Sequence, residues 1–125
     1  MTPVPDPDSA RRSAYRRGRW AERLCRWLLR CKGYRILEAN YRSPLGEIDI
    51  IARQGEVLVV VEVKARPTHL AASEAITPRQ RARLARAATA FLSRNPHFQH
   101  LSLRFDVILV APWRWPLHVI DAWRT

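Results

Sequence analysis

Apolar residues recur along this chain with two periods, one helical and one extended. Between Ala14 and Lys32 they return every three or four positions. Trp20, Leu24, Cys25, Leu28 and Leu29 share one broad face, and Arg16, Arg19, Arg23, Arg26 and Arg30 a narrower one. The pattern predicts a helix from Ala14 to Cys31 or Lys32, stopped by Gly33. Ahead of it, residues 1–13 hold three prolines and the pair Arg11-Arg12, the composition of a flexible basic tail on a single domain spanning 14–125. Tyr34–Tyr41 then alternates as a strand. Two further apolar runs between Gly46 and Lys64, GEIDIIARQGEVLVVVEVK, predict a hairpin with Gln54-Gly55 as its turn. Arg66–Ile76 lacks periodicity and predicts a loop. Thr77-Pro78 supplies a cap and a first-turn proline for a second helix, reaching about Ser93. That helix turns Leu84, Ala88, Phe91 and Leu92 to the core. After Asn95-Pro96, Leu101–Ala111 reads as a buried strand and Leu117–Ala122 as a strand pairing back on it. The turn between them, with Trp113 and Trp115, and the nearby Trp123 are expected to cover the end of the sheet. Stacking on nucleobases is the alternative.

The hairpin carries acids where a core strand normally has none. With Gln54 and Gly55 as the turn, Arg53 faces Glu56, Asp49 faces Val60 and Glu47 faces Glu62. Asp49 then lies diagonal to Glu62 on the same face, about 7–8 Å away. Long valine and isoleucine runs predict a sheet covered on both faces, where an unpaired charge is costly. One explanation is a plain ion pair of Lys64 with Glu62 or Asp49. The other is a site: Asp49, Glu62 and the main-chain oxygen of Val63 holding Mg²⁺ or Mn²⁺, with Lys64 beside them to orient water. Glu22, the one acid of the first helix from Ala14 onward, also has two readings: a pair with Arg26 one turn on, or a third carboxylate leaning over the hairpin past the small Gly18. Glu47, at the strand entrance, is placed in a supporting position. Asp106, among apolar residues, is expected to be buried and paired with Arg104 or a helix arginine.

Charge adds a partner. The 125 residues hold 22 Lys+Arg against 11 Asp+Glu, a formal net charge of +11, which favours a polyanion. The second helix contains no acid, so Arg79, Arg83 and Arg86 on its outer face have no neighbour within the helix to neutralise them. They are candidates for phosphate contacts. No apolar run is long enough to span a bilayer and no signal-type segment opens the chain, so a cytoplasmic protein without membrane attachment is expected. Cys25 and Cys31 cannot bridge from one helix and are expected as reduced, buried thiols. The four histidines have no metal-ligand spacing.

Asp49, twelve residues, then Glu62-Val63-Lys64 resembles the PD-(D/E)xK nuclease signature. A longer ordered set resembles the YraN family of small bacterial proteins. It comprises Gly18-Arg19-Trp20-Ala21-Glu22, Gly33-Tyr34-Arg35-Ile36-Leu37, Asn40-Tyr41-Arg42, Gly46-Glu47-Ile48-Asp49, Val61-Glu62-Val63-Lys64, the arginine-rich helix after Thr77, and Arg104-Phe105-Asp106. Arg79 stands where that family usually has lysine, and Cys25 where it favours alanine. The resemblance implies an α/β restriction-endonuclease-like fold, a central mixed sheet flanked by helices. It also implies Mg²⁺-dependent hydrolysis of DNA phosphodiester bonds at Asp49, Glu62 and Lys64, assisted by Glu22. Similarity to Holliday-junction resolvases of the same superfamily implies branched or structured DNA and a twofold homodimer. The competing function is a nucleic-acid-binding module of a repair or recombination complex that does not cut.

Overall fold

The computed structural model describes residues 7–70 and 76–124, with the side chains of the first helix from Gly18 onward. Helix α1 (Pro7–Cys31) leads into the hairpin strands β1 (Arg35–Ser43), β2 (Gly46–Gln54) and β3 (Val57–Ala65). Helix α2 (Pro78–Arg94) and a short 3₁₀ turn (Pro96–Phe98) carry the chain across to β4 (Ser102–Val110), and β5 (Leu117–Trp123) closes the sequence. The five strands form one sheet in the order β1-β2-β3-β4-β5. Only the β3–β4 pair is parallel, because α2 is the only crossover connection between described strands; β1–β2, β2–β3 and β4–β5 are antiparallel. This is the α/β mixed sheet flanked by helices that the resemblance implies.

Each face of the sheet has its own core. On one side Ala21, Cys25 and Leu29 of α1 pack on Ile50, Ala52, Val59, Val61, Ile108 and Val110. On the other Leu84, Ala87, Ala88 and Phe91 of α2 pack on Ile48, Ile51, Leu58, Val60, Phe105, Val107 and Leu109. Strands buried on both faces need apolar residues at every position, which is why β3 and β4 read as unbroken runs. The helix ends follow local chemistry. Thr77 accepts from the Gln80 amide and Gln80 reaches back to the Thr77 amide, a capping box. At the end of α1 the Tyr34 amide donates to Leu29 and the Gly33 amide to Arg30, with Gly33 at φ +87, a Schellman close.

Several expectations are corrected. Helix α1 starts at Pro7 rather than near Ala14, since proline is tolerated in the first turn; of the expected tail, residues 1–6 lie outside the described residues, as do 71–75 of the expected loop. The hairpin turn is Gly55-Glu56, with Gly55 at φ +58 and Gln54 paired to Val57, not Gln54-Gly55. Arg53 therefore faces Leu58 and Ile51 faces Val60. Trp20, placed by periodicity on the core face of α1, is 62% exposed, and Cys31 is exposed while Cys25 is buried.

Candidate functional site

Strand alternation breaks at Asp49. Ile48 and Ile51 both pack toward α2, while Ile50 and Ala52 pack toward α1. Ile48 and Ile51 are three positions apart, where an even step would keep the face, so the strand carries an irregularity between them. Regular pairing of β2 with β3 ends at Ile50↔Val61. Beyond it the Asp49 side chain takes over a backbone role, its Oδ2 accepting from the Val63 amide at 2.8 Å. On the neighbouring strand Asn40, between the pairs Ala39↔Ile50 and Tyr41↔Ile48, has φ +53. Asparagine tolerates that left-handed geometry better than other residues bearing a side chain.

These two distortions turn polar groups toward α1. Glu22 hydrogen-bonds with Asn40 and contacts Asp49, which in turn contacts Glu62 carboxyl to carboxyl. Lys64 Nζ lies 3.3 Å from Glu62 Oε1, and both side chains are largely buried. The electrostatics follow from crowding acids out of water. Burial first, and Glu62 second, push the Asp49 carboxyl up to about 7. Burial also raises Glu62, against the pull of Lys64. It raises Glu22 with help from Asp49, against the Asn40 hydrogen bond and Arg26. Glu22 leans over the hairpin toward Asn40 and Asp49, and the charge of Arg26 one turn on attracts it. Gly18 lines the cleft, but a Cβ there would meet nothing within 4 Å, so the close approach expected of it is not required.

The acids open into a cleft of about 1180 Å³ beyond the carboxyl ends of the parallel pair β3 and β4. Glu22, Asp49, Glu62 and Val63 line it together with Arg66, Trp20, and Trp113, Arg114 and Trp115 of the β4–β5 turn. Sequence reasoning missed Asn40, Arg66 and Arg114. The signal for Asn40 was an asparagine inside a strand, a residue that strands disfavour. Trp113 and Trp115 do not cover the sheet: they are 102% and 79% exposed, whereas Trp123 is buried and stacked on Phe105.

Other expected residues lie elsewhere. Glu47 is exposed and paired with Arg42 at 3.6 Å, and it does not face Glu62, whose level on β2 is that of Asp49. Arg79, Arg83 and Arg86 are exposed on α2, across the sheet from α1, and do not line the cleft. Asp106 is fully buried and paired with Arg104, as expected. Arg104 Nε donates to Oδ1 at 2.8 Å, its Nη2 donates to both Oδ2 and the Tyr34 hydroxyl, His118 Nε2 stands 2.8 Å from Oδ2, and the Asp121 amide donates to Oδ1. Burial alone would raise this carboxyl, but the bonds to His118, Arg104 and the Asp121 amide bring it below its ordinary range. None of these partners is an acid of the cleft.

Would a metal fit? Glu22, Asp49 and Glu62 touch in a chain rather than around one point, and among the described residues no three His, Cys, Asp or Glu side chains form a group that could hold a metal ion as it stands. Two adjacent buried carboxylates with only oxygen donors nonetheless match the needs of Mg²⁺, which binds through one or two carboxylates and keeps several waters. Their mutual repulsion is the charge a divalent cation would relieve.

Comparison with known proteins places the chain in a family. Residues 21–110 match the model of "Uncharacterised protein family UPF0102", a span that includes Glu22, Asp49, Glu62 and Lys64. A UPF0102 protein of Parvibaculum lavamentivorans is 55% identical over 112 residues, 90% of this chain and 84% of the relative. One from Maricaulis maris is 51% identical over 114 residues, covering 91% and 90%, and one from Paramagnetospirillum magneticum 48% over 122 residues, covering 94% and 95%. The chain belongs to the UPF0102 family, the YraN family that its sequence resembles.

Proposed function

We propose that this UPF0102 protein is a Mg²⁺-dependent endonuclease that hydrolyses phosphodiester bonds of structured DNA. The observation that carries the reading is the break in β2. There Asp49 leaves the regular ladder, bonds the Val63 amide, and meets Glu62 at the wall of a cleft rather than in a closed core, while Lys64 does not line the cleft but lies buried 3.3 Å from Glu62. A strand gives up regular pairing at a cost, and such irregularities concentrate beside active sites.

In this reading Asp49, Glu62 and the Val63 carbonyl would hold Mg²⁺ or Mn²⁺. The bound cation supplies Lewis-acid polarisation of the phosphate and acidified water. Lys64, a compact charge held at 3.3 Å by Glu62, is placed to orient the attacking water or hold a phosphate oxygen. Glu22, fixed by Asn40, keeps Asp49 in place and is a further oxygen donor. Arg66 and Arg114 line the cleft and would receive the phosphodiester backbone near the acids. The net charge of +11 would draw the polyanion in.

A second reading has its own observation. Arg79, Arg83 and Arg86 present an exposed basic face away from the cleft, which suits nucleic-acid binding without cutting. The test is incubation with duplex, single-stranded, flapped and four-way DNAs in Mg²⁺ or Mn²⁺. Cleavage is expected for at least one, falling about 10²-fold or more in Lys64→Ala. Wild type and Lys64→Ala behaving alike on every substrate would reject the nuclease. Salt-sensitive binding that persists in EDTA and in Asp49→Asn would then support the binder.

A further inference from the structure

The cleft has one feature that phosphodiester chemistry leaves unused. Three tryptophans line it with their rings in solvent: Trp20 of α1 is 62% exposed, and Trp113 and Trp115 of the β4–β5 turn are 102% and 79% exposed. One exposed tryptophan needs no explanation, but three at one cleft form an apolar patch of the kind that marks a binding surface. The turn holding two of them is constrained. Pro112 and Pro116 bracket Trp113-Arg114-Trp115, and Trp113 sits at φ +62, a backbone geometry that a bulky residue adopts only at a cost. With its side chain fully in solvent, Trp113 recovers none of that cost by packing within the chain.

The surroundings select the occupant. Arg66 and Arg114 sit among the rings, and the chain carries a net charge of +11, so the partner is anionic. An acidic peptide or an anionic lipid headgroup would pair with the arginines but presents no flat apolar face for the three rings. A nucleic-acid strand meets both demands: its phosphates pair with the arginines, and its bases offer flat apolar faces to the rings. Inside a duplex those faces are already stacked, so tryptophans can engage only bases that are unpaired or splayed out. At about 1180 Å³ the cleft exceeds the usual size of a small-molecule site, which leaves room for such a nucleotide beside the acids.

We infer that Trp113 and Trp115, with Trp20 from α1, form a stacking site for unpaired nucleobases of a DNA strand whose backbone runs past Asp49 and Glu62. This rests on the nuclease reading and narrows its substrate to DNA with a single-stranded segment beside the scissile bond. The family match spans residues 21–110, so Trp113 and Trp115 lie outside it, whereas Trp20 belongs to the Gly18–Glu22 stretch that resembles the family.

The test reads binding in EDTA, so that it does not depend on cutting. The probes are a fluorescein-labelled duplex, a fork of the same duplex with one unpaired arm, and the same fork with that arm abasic. A 2-aminopurine in the arm reports stacking through quenching. The full chain should bind the fork about five- to hundredfold more tightly than the abasic fork, with quenching. The double variant Trp113→Ala/Trp115→Ala should bind both forks equally and leave 2-aminopurine bright, while Trp113→Phe/Trp115→Phe should restore part of the preference. Because both rings are exposed, melting temperature should change little and report that the variants fold. Equal wild-type binding to the two forks, or a preference unchanged in the alanine variant, would overturn the inference. Cleavage of the same fork in Mg²⁺ scores the nuclease separately.

Discussion

Replacing Asp49 with asparagine should stabilise the metal-free protein at alkaline pH. The Asp49 carboxyl is buried beside Glu62 and titrates near 7 instead of its ordinary 3.8. A carboxyl that holds its proton more tightly when folded favours the folded state fully below pH 3.8. That contribution falls as pH rises and is gone above pH 7. At about 1.4 kcal/mol per unit, the shift corresponds to an upper bound of about 4 kcal/mol, part of which is shared with Glu62. Asparagine resembles the protonated acid. It keeps an oxygen to accept from the Val63 amide, 2.8 Å from Oδ2 in the wild type, and it adds an amide that can donate to Glu62.

The assay is urea or thermal denaturation in EDTA at pH 5 and pH 8, wild type against Asp49→Asn. The difference between the proteins should widen by about 1–3 kcal/mol from the lower to the higher pH, with the variant more stable at pH 8, because the part of the shift below pH 5 is already lost at the lower pH. Taking the difference cancels groups that both proteins share, including the His118–Asp106 pair. Millimolar Mg²⁺ or Mn²⁺ should narrow the gap at pH 8 by stabilising only the wild type. A variant no more stable than wild type at pH 8, or a gap independent of pH, would refute the claim that burial, with Glu62 beside it, raises the Asp49 carboxyl.

Asp106→Ala should cost about 3–5 kcal/mol at pH 7 by urea denaturation, because it strands Arg104 and His118 without their buried carboxylate; a loss below about 1 kcal/mol would mean that the network is not holding β4 to β5. Since the Asp106 carboxyl titrates below its ordinary 3.8, its contribution is present above that pH and lost as pH falls through the folded value, the reverse of Asp49. A thiol reagent at pH 8 should modify one cysteine per folded chain, the exposed Cys31. The Cys25 thiol, pushed up to about 12 by burial and then by Asp49 and Glu22, should react only in denaturant. Trp113→Gly should raise stability by roughly 0.5–1 kcal/mol, strain relief of about 1–2 less the extra unfolded-state entropy of glycine, and calorimetry reads the sign.

The periods of the chain made most of the elements legible. Strands buried on both faces leave unbroken apolar runs, the capping box at Thr77 and the glycine close at Gly33 leave short motifs, and the structure carries each of them. Register was less legible because Gln-Gly and Gly-Glu are both acceptable two-residue turns, and only packing decides between them. Moving the turn by one residue keeps each side chain on its face but changes its partner. Asp49 thus becomes level with Glu62 instead of diagonal to it, and Glu47 pairs with Arg42. The tryptophans misled for a different reason. Hydrophobicity argues for burial, and the sequence does not reveal that the turn between Pro112 and Pro116 points Trp113 and Trp115 into a cleft.

The candidate site was legible as acids within apolar strands, and its place in the fold follows from exceptions to local rules. Ideal alternation would have put Asp49 and Glu62 on the face of Ile51, Leu58 and Val60, beneath α2 and its arginines. A left-handed Asn40 on β1 and the irregularity at Asp49 on β2 instead turn Asp49 to the α1 side, where Glu22 meets it, while β3 keeps its alternation through Val61, Val63 and Ala65. The same displacement leaves Arg79, Arg83 and Arg86 across the sheet and brings Arg66, Arg114 and the exposed rings to the acids. Strand irregularity, a disfavoured asparagine, buried like charges and solvent-facing tryptophans each cost stability. A sequence selected only to fold would carry such conflicts scattered, if at all. Here they meet in one cleft, which is the strongest physical argument that the cleft is what the fold is built to present.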